Sequence, residues 1–252
     1  MQQADTTSRE ILIDGAFNAR DVGGLVNGAG AVVRRGQVYR SGDLSRLTAA
    51  GADQLRALGV ATIIDLRTAA EVARRGRYPF EDSGIAYRHR PLLDMSATEP
   101  EGQLADLPPD VLDRLYRHLA EEGARNLAQV LAWLGDDGTV PVLVHCVAGK
   151  DRTGMLVAVL LAVLGVPDDD IAADYALSEV GLAALRQWAE EHDPDVGMWL
   201  ERVPPQLLDA QPRAMLDFLR WLREEHGSVE AYLSSIGVAP STVAALRRRL
   251  LA

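Results

Sequence analysis

With 252 residues, of which 48% are hydrophobic and 25% charged, the chain has the composition of an ordinary soluble globular protein able to bury a full core. A formal net charge of −10 argues against a general nucleic-acid binder or a binder of anionic membranes, so any anion site must be locally basic. One cysteine rules out an internal disulfide and an all-cysteine metal site.

The first fifteen residues are polar and lack the apolar run of a secretory signal. The cytoplasm is therefore the expected location, with export by a route without an apolar signal left open. Ile11 to Ile13 suits a short strand, and Asn18-Ala19-Arg20-Asp21-Val22-Gly23-Gly24 is a glycine-closed loop whose plain reading is a turn. Short strands are expected at Ala31 to Val33 and Val38 to Arg40. Thr48 caps a helix that runs to Leu58 and ends at Gly59. Val60 to Leu66 reads as a buried strand, because adjacent Ile63 and Ile64 suit a parallel sheet covered on both faces.

That strand ends in Asp65-Leu66-Arg67, where open α/β sheets bind ligands, although a salt-bridged strand end is an equal alternative. A helix from Ala69 to Arg75 closes at Gly76, and a strand from Ile85 to Arg90 leads to Asp94. Ser96 to Pro109 is rich in Pro, Glu, Asp and small residues and reads as a surface loop. Apolar residues from Val111 to Leu134 recur at helical spacing, with a break at Gly123.

Residues 140 to 154 are the organising stretch. An apolar strand, Val140 to Val144, reaches His145 and Cys146; Arg152 follows six positions after the cysteine, ahead of a helix expected from Thr153 to Leu164. A strand-to-helix loop points backbone N–H groups into one concavity, where the helix dipole adds to them and an anion is held. The arginine fork pairs bidentately with phosphate oxygens, and the same positive field favours thiolate over thiol. A thiolate beside a phosphoryl group is a nucleophile aimed at phosphorus. Twenty-five arginines accompany a single lysine, and that lysine, Lys150, lies in this loop.

Downstream, Met155 to Val166 is apolar for twelve residues, short of the roughly twenty needed to span a bilayer, so no integral membrane segment is expected. Asp168 caps a helix reaching about Val180. Leu182 to Trp188 and Trp199 to Leu208 look amphipathic but are interrupted by Pro194, Pro204 and Pro205. Pro212 to Glu225, Ser228 to Ile236 and Ser241 to Leu251 read as helices, with Arg247 to Arg249 as a solvated cationic last turn.

His145-Cys146-Val147-Ala148-Gly149-Lys150-Asp151-Arg152-Thr153-Gly154 resembles the Cys-x5-Arg phosphate loop of the protein tyrosine phosphatase superfamily. It is most similar to bacterial tyrosine/serine/threonine and phosphoinositide phosphatases whose loop reads HCxxGKDRTG. The segment from Asn18 to Gly24 matches a second motif of that family. The resemblance implies an α/β fold with a central, mostly parallel sheet flanked by helices. One phosphatase domain over 1–252 is expected, with a helical lid at about 179–208, where Trp188, Met198 and Trp199 would be exposed.

The implied reaction is phosphate monoester hydrolysis through a phosphocysteine, as in a protein-tyrosine phosphatase. Cys146 would be the nucleophile. Arg152 and the N–H groups of Val147, Ala148, Gly149, Lys150 and Thr153 would cradle phosphate. Thr153 would also hydrogen-bond the thiolate, and Lys150 would pair with a second phosphate or an acidic flank. His145 would hold loop carbonyls, with Asp65 in support. No Trp-Pro-Asp loop occurs, so Asp151 is the expected proton donor, with Asp65 and Asp94 in reserve. Expected partners are phosphorylated proteins or phosphoinositides, with no nucleic acid, cofactor or metal; the oligomeric state is open. Alternatives are a phosphoinositide phosphatase, a phosphate-binding module without turnover and a thiol redox protein, the last opposed by the absence of a second cysteine.

Overall fold

The computed structural model describes residues 9–92, 110–193, 197–198, 203 and 205–252. Asp94, the surface loop expected from Ser96 to Pro109, and Trp199 lie outside the described residues.

Five short strands form one sheet in the order β1-β2-β5-β3-β4. β5 (Val142–His145) lies at its centre, between β2 (Val38–Ser41) and β3 (Thr62–Asp65), parallel to both. β4 (Ala86–His89) extends the sheet parallel to β3, and the two-residue β1 (Arg20–Asp21) edges it antiparallel to β2. Every residue of β2, β3 and β5 is buried, as the paired isoleucines of β3 implied. Ile64, Val142 and Val144 face the larger apolar layer, which contains α3 (Val111–Glu122), α4 (Ala124–Gly135) and α5 (Asp151–Val163). Ile63 and Leu143 face a smaller layer that includes Leu55 of α1 (Ala49–Ala57). Register sets Ser41 and Asp65 on either side of His145, with His89 beyond Asp65, at the carboxyl ends of the four parallel strands.

Several expectations need adjustment. Ile11 to Ile13 and Ala31 to Val33 contribute isolated bridges rather than strands, because Gly15 and Gly30, both at positive φ, turn the chain back before a ladder extends. The break expected at Gly123 divides α3 from α4. α5 starts two residues early, at Asp151, which puts Asp151 and Arg152 in its first turn. The helix from Asp168 stops at Ala176 (α6), and a new helix, α7, runs from Ser178 to His192. Pro205–Leu208 is a single helical turn, and Pro212–His226, Val229–Ser235 and Pro240–Leu250 complete the chain. The last turn is not merely solvated: Arg247 donates to the Val163 carbonyl at 2.9 Å and Arg249 to that of Asp136 at 2.7 Å, which ties the final helix to the ends of α5 and α4.

Leu160, fully buried on α5, tests how much this central helix contributes. Leu160→Ala is expected to lower unfolding free energy by about 2–5 kcal/mol in urea titrations, through lost transfer energy and the cavity left behind. A loss well under about 1 kcal/mol would contradict the packing described.

Candidate active site

The carbonyls of the loop joining β5 to α5 are all engaged. That of Cys146 lies 3.2 Å from Nδ1 of His145, and that of Val147 accepts from the Asp43 amide at 2.9 Å. The Ala148 carbonyl accepts from Nδ2 of Asn18 at 2.9 Å and the Gly149 carbonyl from Nη2 of Arg40 at 2.7 Å. A planar trans peptide sends its C=O and the following N–H in opposite senses. The N–H groups of Val147, Ala148, Gly149 and Lys150 are therefore turned away from these partners. Among the described residues none of the four has an intramolecular acceptor. Four such donors at the N-terminus of α5 make an anion cradle. Gly149 is required for the path: its φ is 67°, and a Cβ there would lie 2.4 Å from the Ser41 carbonyl oxygen.

Cys146 is a free thiol, 2% exposed, at the start of this cradle. Arg152 is largely buried, and its two terminal nitrogens grip both oxygens of Glu71, at 2.5 and 2.8 Å. Burial alone would lower the Arg152 pKa, but Glu71, with Cys146 and Asp151, outweighs it and raises the value above the ordinary one. Two of the five guanidinium N–H groups are so used, and three remain for an anion. Glu71 also caps α2 (Ala69–Arg75), accepting from the Thr68 amide at 2.7 Å while its own amide donates to the Thr68 hydroxyl. One carboxylate thus fixes both a helix start and the site arginine.

Asp65 is fully buried and committed. It accepts from Nε and Nη2 of Arg67, at 2.9 and 2.6 Å, from the Arg67 amide at 3.0 Å and from the Tyr87 hydroxyl at 2.7 Å. Burial would raise its pKa, but nearby His145, Arg67 and Tyr87 hold it below the usual carboxylate range. A carboxylate so paired cannot serve as a reserve proton donor, and Asp65 instead braces the floor of the site. His145 Nε2 stands 3.6 Å from Asp65 and, among the described residues, has no hydrogen-bond partner. Burial, followed by the partly compensating charge of Asp65, sets the His145 pKa below its ordinary value, so the ring is neutral at neutral pH. That neutral ring lies against the Cys146 carbonyl.

Lys150 departs from expectation. Its ammonium is buried and donates to the carbonyls of Leu207 and Asp209, at 2.5 and 2.8 Å, with Asp151 Oδ1 at 3.2 Å. Two of its three N–H donors are thus taken by main-chain carbonyls, with the Asp151 carboxylate as an ion-pair partner beside them. Thr153 is buried and its hydroxyl makes no hydrogen bond, so the expected bond to the thiol is not formed here. Asp151 is 27% exposed by its side chain and accepts from the Tyr116 hydroxyl at 2.9 Å. Tyr116 in turn lies 2.6 Å from the Tyr175 hydroxyl.

Beside the loop runs a cleft with apolar walls from Phe17, Leu182, Leu185 and Leu208 and cationic ones from Arg46 and Arg75. Asp43, Val147 and Ala148 also line it. Trp188 is half-buried rather than exposed, stacked on His192 and packed on Phe17 and Arg46, whereas Met198 is 48% exposed. Sequence reasoning missed Glu71, Arg40, Asp43 and Asp174. Only Glu71 left a local trace, the Thr68-x-x-Glu71 capping box after Arg67.

The Glu71–Arg152 pair sets a pH dependence. Burial would raise the Glu71 pKa, but Arg152 and Thr68 outweigh it and hold it below the ordinary 4.5. A carboxyl depressed in the folded state contributes stability that is complete above its unfolded pKa and is lost as pH falls through the folded one. The stability difference between the native chain and Glu71→Gln is expected to be largest near neutrality and to shrink below pH 4.5, in denaturant titrations across pH. A difference that stays constant down to about pH 3 would refute this assignment.

Residues 11–252 match the model of the "Tyrosine phosphatase family". The chain is 30% identical to the triple specificity protein phosphatase PtpB of Mycobacterium tuberculosis, across 95% of this chain and 98% of that protein. It is 32% identical to a putative tyrosine-protein phosphatase of Cupriavidus necator, covering 89% of this chain and 82% of that one. A tyrosine-protein phosphatase of Nostoc commune is 33% identical over 84% of this chain and 73% of its own. With the cradle, thiol and arginine assembled on one loop, the chain belongs to the tyrosine phosphatase family.

Proposed function

We propose that the chain hydrolyses phosphate monoesters of phosphorylated proteins, phosphotyrosine foremost, through a phosphocysteine on Cys146. The observation that carries this reading is the set of four cradle N–H groups without internal acceptors, between a single free cysteine and a buried arginine. In the first step the Cys146 thiolate attacks phosphorus, an S–P bond forms and the bond to the ester oxygen breaks. Asp151 gives its proton to that leaving oxygen. Water then attacks the phosphocysteine, its proton passes to Asp151, the S–P bond breaks, and inorganic phosphate and the thiolate are released. Arg152 and the cradle hold the equatorial oxygens, where stabilisation of charge dominates phosphoryl transfer.

The apolar walls of the cleft favour an aromatic leaving group, and Arg46, paired with Asp193 at 2.7 Å, and Arg75 add positive charge to its lining. The triple specificity of the Mycobacterium tuberculosis relative supports acceptance of more than one phosphorylated residue type. α7 and the turn Pro205–Leu208 form the cover over this cleft, through Leu182, Leu185 and Leu208. A phosphoinositide reading is weakened by Lys150, whose ammonium is held by the carbonyls of Leu207 and Asp209.

For the proton donor, a second carboxylate has its own support. Asp43 lines the cleft, and its Oδ2 is buried without a hydrogen-bond partner, while Oδ1 accepts from Arg67 at 2.8 Å.

Release of p-nitrophenol from p-nitrophenyl phosphate is expected from the native chain and not from Cys146→Ser, with thermal midpoints alike; activity in Cys146→Ser would overturn the mechanism. Asp151→Asn should lower turnover of phosphoserine peptides by about 10²-fold or more, the usual reach of acid catalysis, and that of p-nitrophenyl phosphate much less. Equal losses on both would remove Asp151 from the role, and the same imbalance in Asp43→Asn would assign it there. Lys150→Met is expected to reduce turnover of singly and doubly phosphorylated substrates by the same factor. Selective loss on the doubly phosphorylated one would return Lys150 to substrate recognition.

A further inference from the structure

We infer that Asp174, on α6, is a positioning residue for the phosphate cradle, acting through Arg40 on the Gly149 carbonyl and through Arg20 and Asn18 on the Ala148 carbonyl. This rests on the proposed function, since it concerns the same loop.

Asp174 is fully buried among three arginines. Its Oδ1 meets Arg9 at 2.9 Å and Arg20 Nε at 3.2 Å, and its Oδ2 meets Arg40 Nη1 at 2.7 Å. Its main-chain carbonyl takes a further bond from Arg20 Nη2 at 2.8 Å. Two paths leave this carboxylate for the loop. In the first, the Arg40 guanidinium is held by Asp174 at one nitrogen and donates from the other to the Gly149 carbonyl. In the second, Arg20 donates to Oδ1 of Asn18, which leaves the amide nitrogen of Asn18 directed at the Ala148 carbonyl. An amide whose oxygen is occupied by a donor cannot flip without losing both bonds.

Each path ends on a peptide plane whose other edge is a cradle donor. Fixing the Ala148 carbonyl fixes the Gly149 N–H, and fixing the Gly149 carbonyl fixes the Lys150 N–H. The charge balance is unlike that of an ordinary structural ion pair. Among the described residues, three guanidinium groups share one carboxylate, and Nε of Arg40 and both Nε and Nη2 of Arg9 are buried without hydrogen-bond partners. A buried surplus of positive charge is costly. Behind an anion cradle it adds to the field that holds the phosphate. Asn18 itself sits at φ 56°, a conformation that asparagine tolerates better than most residues.

The test compares the native chain with Asn18→Gly, Asp174→Asn, the two combined, and Leu160→Ala as a destabilised control. Glycine retains the positive φ at position 18 while removing the donor. Binding of inorganic phosphate is read by calorimetry, and kcat and KM are read with p-nitrophenyl phosphate. Both site variants are expected to weaken phosphate binding by about tenfold or more and to lower kcat/KM, because misdirected donors fail the bound anion. The combined variant should lose less than the product of the two, since they share the path through Arg20 and Asn18 to the Ala148 carbonyl. Leu160→Ala should lose stability and keep its phosphate affinity. Native phosphate affinity in folded Asn18→Gly, or losses that multiply, would overturn the inference; should Asp174→Asn not fold, Asn18→Gly decides alone. Phosphate affinity is read without turnover. A native chain that binds phosphate but releases no p-nitrophenol therefore counts against hydrolysis, and the affinities still decide the positioning.

Discussion

A planar peptide cannot point its carbonyl and its next N–H the same way, and the site of this protein depends on that constraint. The cradle donors are aimed by whatever holds the carbonyls behind them. Those holders come from distant parts of the chain: Asn18 before β1, Arg40 in β2, the Asp43 amide just after β2, and His145 at the end of β5. The parallel sheet matters because it brings the ends of β2, β5 and β3 side by side, so that these groups reach one short loop.

The same geometry explains why the site uses arginine almost to the exclusion of lysine. Arg40 bridges Asp174 and the Gly149 carbonyl, Arg20 bridges Asp174 and Asn18, and Arg67 bridges Asp65 and Asp43. Each is a rigid planar fork that spans two acceptors, which a single ammonium on a flexible stem does less well. Lys150 answers a different need. Its ammonium donates to the carbonyls of Leu207 and Asp209 and lies 3.2 Å from the Asp151 carboxylate, so one point charge gathers three oxygens from two segments. The lone lysine therefore joins the phosphate loop to the turn at Pro205–Leu208.

Among the described residues, that turn and α7 meet in a small apolar cluster in which Leu185, Trp188 and Leu208 pack on Ala189. The main core, by contrast, is continuous from the sheet through α5 to the C-terminal helices. Segments with few buried apolar contacts open at lower free energy than the core. Lys150 adds to the attachment of that turn through its bonds to the carbonyls of Leu207 and Asp209.

The order of elements was legible along the chain, because the apolar run before Cys146, the caps at Thr48 and Gly76 and the break at Gly123 act within a few residues of themselves. So was the layout of residues 145 to 154, whose residue types and spacing suffice to mark a strand, a thiol, a loop and an arginine at a helix start. The short bridges near Ile11 and Ala31 were read as strands because local β propensity does not reveal whether a partner continues. What only the tertiary structure decided is where each charge ends: Glu71 on Arg152, Asp174 among three arginines, and Lys150 on backbone carbonyls rather than toward a substrate. Pairing of charged groups is a long-range matter, settled by which strand ends and helix starts meet in space, and a carbonyl acceptor leaves no mark in the amino-acid sequence.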